Sequence, residues 1–207
     1  MCKASKLLLS VTALLVAGLW AGCKTSAPAP SGFLSDYSRL RQVNDSTWRY
    51  VDTVQLAKYK SFMIPPVKVM VREYWGTTFT PDQQERVGAV FRQKIMNALT
   101  PPYEVVASPG PGTAEVRVAL TQAYRVGNAL AMGVEAEIVD PASHQQLAAI
   151  RGVRIGPPEA GFRMGAMNTT GVGGDYMASW WNLPSAMQLM EEWASQMRKL
   201  VDEGHGN

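Results

Sequence analysis

Side chains able to do chemistry are few and widely spaced in this chain of 207 residues, which has two cysteines, Cys2 and Cys23, and two histidines, His144 and His205. His144 falls in a predicted hairpin turn and His205 in the C-terminal tail. Neither has a second histidine or a cysteine at helical or turn spacing, and a catalytic triad needs a rigidly held imidazole. The sequence contains no Gly-x-Ser-x-Gly elbow, Ser-x-x-Lys pair, Walker loop or dinucleotide glycine fingerprint. Gly171-Val172-Gly173-Gly174 neither follows a clear strand nor opens a clear helix, so it reads as a flexible stretch rather than a phosphate cradle. Two carboxylate pairs remain. Glu135 and Glu137 project to one side of a predicted strand, and Glu191 and Glu192 lie on the polar side of a predicted helix. General acid–base work needs at least one buried carboxyl. All four are expected on solvated faces, so no catalytic residue and no metal ligand is assigned.

Cys23 is the exception. It closes Leu19-Trp20-Ala21-Gly22-Cys23, after an apolar run from Leu7 to Leu19 that follows Lys3 and Lys6. This is a signal-peptide layout, and the run is too short for a span of about 20 residues. The small-small-Cys ending resembles a bacterial lipoprotein signal, in which the cysteine is acylated and becomes the new N-terminus. The resemblance implies a covalent lipid on Cys23, a membrane attachment through it, and no other cofactor. Loss of residues 1–22 discards Cys2 and leaves a single thiol, so no disulfide can form within the mature chain. Acylation would consume that thiol. Each buried methylene contributes about 0.8 kcal/mol, and stable attachment takes two chains. Lys24, rather than an aspartate, follows the cysteine. By the enteric sorting rule this implies an outer-membrane anchor facing the periplasm, with the inner membrane and the cell surface as alternatives.

The elements that must carry these residues follow from periodicity. Residues 23–32 form a tether of small polar residues and prolines. Residues 33–207 then form a single domain, large enough for a real core. Phe33, Leu34, Tyr37 and Leu40 have the spacing of a short helix. Ser61 to Val71 is a strand candidate that Pro65-Pro66 places at an edge or bulge. Thr80, Pro81 and Gln83 make a capped helix start, followed by the stripe Val87, Val90, Phe91, Ile95, Ala98 and Leu99 and ended by Pro101-Pro102. Strands are predicted at Tyr103–Ala107, Ala114–Leu120, Met132–Val139 and Leu147–Ile155. The last helix runs from about Pro184 to Glu203, with Ala186, Leu189, Met190, Trp193, Met197, Leu200 and Val201 along one side. The predicted class is α+β, a mostly antiparallel sheet with two main helices packed on it. The leader carries two lysines and no acid, so the 20 basic residues become 18 against 17 acidic ones in the mature chain. The basic residues are scattered, which argues against a nucleic-acid partner. Arg39, Arg41 and Arg49, interleaved with Asp36 and Asp45, read as a solvated surface.

Gly32-Phe33-Leu34-Ser35-Asp36-Tyr37-Ser38-Arg39-Leu40-Arg41 resembles the N-terminal hallmark of an uncharacterised family of Gram-negative lipoproteins, a domain of unknown function. Tyr50-Val51-Asp52, the stretch Tyr59 to Val67 and the hairpin from Asp140 to Ala149 are similar to later parts of that family. The resemblance implies a fold and a location, and no activity. The segment 156–182 stands apart as a loop-rich insertion. It carries Phe162, Met164, Tyr176, Met177, Trp180 and Trp181, an adaptable apolar set suited to a partner protein or ligand, or to capping the core beside the last helix. The expected function is a lipid-anchored, non-enzymatic envelope protein that binds another envelope protein or assists assembly. The alternatives are a carrier or sensor of a hydrophobic ligand, and a hydrolase with an unrecognised site.

Overall fold

The computed structural model describes residues 29–74, 77–158 and 184–206. The expected leader, Cys23 with the first part of the tether, and Phe162, Met164, Tyr176, Met177, Trp180 and Trp181 lie outside the described residues. The strands are β1 (Arg41–Asn44), β2 (Thr47–Val51), β3 (Ser61–Met63), β4 (Lys68–Val69), β5 (Glu73–Tyr74), β6 (Thr77–Thr78), β7 (Glu104–Val106), β8 (Thr113–Val126), β9 (Ala129–Val139) and β10 (Gln146–Pro158). The helices are α1 (Thr53–Leu56), α2 (Pro81–Leu99) and α3 (Pro184–Gly204).

Eight strands form one mixed sheet in the order β1-β2-β10-β9-β8-β3-β7, with β4 also paired to β8, while β5 and β6 make a separate hairpin. Neighbours from β1 to β8 are antiparallel. β3 runs parallel to both β7 and β8, and β4 parallel to β8. The α+β expectation holds. The prolines at 65 and 66 act as predicted. Met63 pairs with Glu115 and Lys68 with Ala119, so one extra residue bulges out between β3 and β4.

α2 begins where its capping box requires. The Thr80 side chain accepts from Gln83 N at 3.3 Å, and the Gln83 side chain accepts from Thr80 N at 2.9 Å. Its buried residues Val87, Phe91, Ile95 and Leu99 match the predicted stripe. α3 buries its own stripe, including Trp193, whose indole N–H donates to the Met132 carbonyl at 3.4 Å. The two helices pack on each other and cover one face of the sheet, here called the inner face. From that face Val116, Val118 and Leu120 of β8, Met132, Val134, Ala136 and Ile138 of β9, and Ala148 and Ile150 of β10 complete the core. At Gly88 of α2 an added Cβ would lie 2.7 Å from the Val67 carbonyl oxygen, so only glycine permits this approach of helix to strand.

One N-terminal expectation needs correction. Residues 33–40 are not a helix but bends and a turn, and with residues 29–32 they form an irregular strap. The arginines of this region lie at the surface as expected, Arg39 and Arg41 exposed and Arg49 half-buried. Arg41 and Arg49 lie on the β1–β2 hairpin, Arg49 pairs with Glu203 of α3 at 2.9 Å, and Arg39 covers the Tyr50 ring at 5.0 Å.

Candidate functional site

The strap lies across the outer face of the sheet, over β9. Strand alternation sends Glu135 and Glu137 outward, as the sequence predicts. The structure then overturns the expectation that they are solvated. Glu137 is 0% and Glu135 4% exposed, because the strap covers both. Each carboxylate is met by donors from the hallmark segment. Glu135 accepts from Ser31 N at 3.0 Å, from the Ser31 hydroxyl at 2.7 Å and from the Tyr37 hydroxyl. Glu137 accepts from Ser35 N at 2.8 Å and the Ser35 hydroxyl at 2.7 Å. Gln146 of β10 donates to it at 2.9 Å, and Arg117 of β8 pairs with its other oxygen at 2.8 Å.

The strap is held to itself as well. The Tyr37 hydroxyl accepts from Leu34 N at 3.1 Å, and the Ser31 hydroxyl from Phe33 N at 3.3 Å. Gln146 also donates to the Asp36 carbonyl at 3.1 Å. Arginines from the sheet add ring contacts. The Arg117 guanidinium lies 5.8 Å from the centre of the Phe33 ring, and that of Arg151 lies 5.8 Å from Tyr37 and 5.4 Å from Trp48. Burial, and then the bond to Glu135, push the Tyr37 hydroxyl above its ordinary value. On the exposed rim, Asp36 is lowered by the hydroxyl and backbone N–H of Ser38.

This arrangement binds a segment of its own chain. A general base must offer an oxygen to a substrate. Here the oxygens of both carboxylates already accept from Ser31, Ser35, Tyr37, Gln146 and Arg117. A recess of about 10 Å3 beside Glu135, lined by Ala29, Gln122, Arg151 and Val153 among others, has room for roughly one water. Ligand pockets are commonly about 300–1,000 Å3.

The other chemical candidates lie elsewhere. Glu191 and Glu192 are at the surface of α3, in ion pairs with Lys94 at 2.5 Å and Arg154 at 3.7 Å. His144 occupies the predicted turn, with φ of 59°. His205 follows the last helix as expected, but its ring is packed against the domain rather than free in a tail. Its ring nitrogens lie 2.8 Å from the Val201 and Tyr59 carbonyl oxygens. Among the described residues no three histidine, cysteine or acidic side chains gather as metal ligands. Sequence reasoning missed Ser31, Ser35, Tyr37 and Gln146 as partners of the glutamates. The available signal was the run of hydroxyl residues Ser31, Ser35, Tyr37 and Ser38 in and just before the hallmark, which the helical spacing of its apolar residues masked.

Residues 29–131 match the model of a family described as a protein of unknown function, DUF3313. The match begins at the strap and takes in the hallmark and the stretches at 50–52 and 59–67, while the hairpin at 140–149 lies beyond it. No curated protein matches the chain. Among solved structures, the PelC dodecamer from Paraburkholderia phytofirmans is similar at 10% identity and a TM-score of 0.45, over 75% of this chain and 96% of that one. Hypothetical protein CT253 from Chlamydia trachomatis is 10% identical with a TM-score of 0.41, over 70% and 99%. Lipoprotein GNA1162 from Neisseria meningitidis is 12% identical with a TM-score of 0.30, over 59% and 94%.

Proposed function

We propose that this protein is a lipid-anchored envelope lipoprotein without enzymatic activity, in which the strap fastens the membrane tether rigidly to a folded domain that engages another envelope protein. The observation that carries this reading is the lock between Ser31, Ser35, Tyr37 and the buried Glu135 and Glu137. Ser31 lies only eight positions after Cys23 in the sequence. A free linker would hold the domain loosely at any orientation. A strap tied to the middle strand of the sheet instead fixes where the tether leaves the domain. The lipoprotein-like ending at Cys23 supplies the anchor in this reading, and Lys24 supports the outer membrane as its site.

The test is mass spectrometry of the mature protein from envelopes. An acylated peptide beginning at Cys23 is the expected result. An intact Met1, or a free thiol at Cys23, would refute the anchor. Glu135→Gln with Glu137→Gln should leave acylation intact while making residues 29–40 cleavable by added protease.

A further inference from the structure

The outer face of the sheet is covered over only part of its length. Its cross-strand rows follow from the register. Glu137 lies beside Arg117 and Ala149, and Glu135 beside Ala119 and Arg151. Next come Gly133 with Gln122 and Val153, then Ala131 with Tyr124 and Ile155, then Ala129 with Val126 and Pro158. Successive rows are about 7 Å apart. The strap occupies the first rows and advances along them in the N-terminal direction. Ser35 is bound at the Glu137 row and Ser31 at the Glu135 row. Ala29 lines a recess shared by residues of the Glu135 row, Glu135 and Arg151, and of the next row, Gln122 and Val153.

Beyond that point the same face carries exposed apolar side chains. Tyr124 is 44%, Val126 45% and Ile155 57% exposed, on either side of the buried Ala129 and Ala131 of β9. Ala29 is six positions after Cys23 in the sequence, a reach of at most about 22 Å. The described chain therefore begins within that reach of Tyr124 and Ile155, which lie one row beyond Gln122 and Val153.

We infer that this end of the outer face, formed by Tyr124, Val126 and Ile155, rests on the lipid surface to which the chain is anchored. The inference depends on acylation of Cys23. An anchor this short cannot place the bilayer far from where the strap ends, and the exposed apolar side chains lie at that place. A tyrosine with two aliphatic neighbours suits the boundary between headgroups and acyl chains, where the ring is apolar and the hydroxyl stays wet. The opposite end of the sheet, at the β9–β10 turn containing Ser143, then faces away from the membrane.

The full acylated protein, reconstituted into vesicles of phosphatidylethanolamine and phosphatidylglycerol, provides the test. Cys23 carries lipid and Cys2 is removed, so Val126→Cys, Ile155→Cys and Ser143→Cys each introduce the single free thiol for a fluorescent label. All three sites are at the surface, and retained circular dichroism checks folding. Nitroxide-bearing lipids should quench the labels at 126 and 155 at least twofold and leave the label at 143 unchanged. Equal quenching at all three sites, or none at 126 and 155 in protein that floats with the vesicles, overturns the inference while the anchor stands. Cross-linking from 126 or 155 into a second copy or another protein, instead of lipid quenching, also overturns it. Protein that carries no lipid and does not float refutes the anchor, and this inference with it.

Discussion

The two faces of the central sheet are covered in opposite ways. On the inner face α2 and α3 bury a continuous apolar layer from Val116 to Trp193. On the outer face a short irregular strap buries two carboxylates and brings donors to them. The first cover is non-directional and scales with area. The second depends on a handful of short, charge-assisted hydrogen bonds, each of which fixes position. On the inner face the helices are positioned by close packing, with Gly88 against Val67 and the Trp193 N–H on Met132. A shift of the strap by one residue would leave Glu137 buried without Ser35. The inner face thus supplies most of the cohesion, and the outer face determines where the N-terminal segment sits.

Substitutions can break this contrast. The largest expected loss is on the inner face. Trp193→Ala should lower unfolding free energy by about 3–5 kcal/mol in urea titrations, because a fully buried indole leaves a large cavity. Such a loss should leave the strap's register untouched in whatever folded fraction remains. Glu137→Ala should cost about 2–3 kcal/mol, less than removal of a wholly enclosed ion pair, since Arg117 can return to water. Its mark should be local, as faster proteolysis between Phe33 and Arg41. A double-mutant cycle with Ser35→Ala should show coupling of about 1 kcal/mol or more, and a coupling near zero would contradict the lock.

Tyr37→Phe should cost about 1 kcal/mol at neutral pH and also change the alkaline limb of stability. The folded state holds the Tyr37 proton more tightly than the unfolded chain does. That contribution is whole below the unfolded value of about 10 and is lost as pH rises through the higher folded value. Wild-type protein should therefore lose more stability than Tyr37→Phe between neutral pH and strongly alkaline pH, as read by melting temperature. The smallest effect belongs to the β9–β10 turn. Asp140 is lowered by the hydroxyl of Ser143 and the N–H of Ala142, so its contribution is present above the usual aspartate range and lost as pH falls through its folded value. Asp140→Asn should flatten the acid limb slightly, within the spread of surface substitutions.

The inner face was legible in the sequence because its signals are local. The capping box at Thr80 and Gln83, the stripe from Val87 to Leu99 and the alternation from Met132 to Ile138 each declare one buried side. The outer face was legible only in part. Alternation correctly set Glu135 and Glu137 on the side away from the helices. No local pattern says that a segment about 100 residues earlier covers them. The hallmark was visible as a motif, but Phe33, Leu34, Tyr37 and Leu40 mimic helical spacing. The strap's shape is set instead by Ser31, Ser35 and Tyr37 reaching for β9. The β1–β2 hairpin escaped notice because Arg41 to Asn44 is exposed throughout and carries no apolar alternation.

The strap's bonds to Glu135 and Glu137 join residues 98 to 104 positions apart. In a chain synthesised N-terminus first, Ser31 emerges long before the strand it must meet. Contacts this distant in sequence close only after the intervening sheet has paired. Once β9 takes its place between β8 and β10, Ser31, Ser35 and Tyr37 can close on Glu135 and Glu137. Closure of the strap would in that way mark completion of the fold, and pulse proteolysis during refolding should show residues 29–40 as the last stretch to become protected.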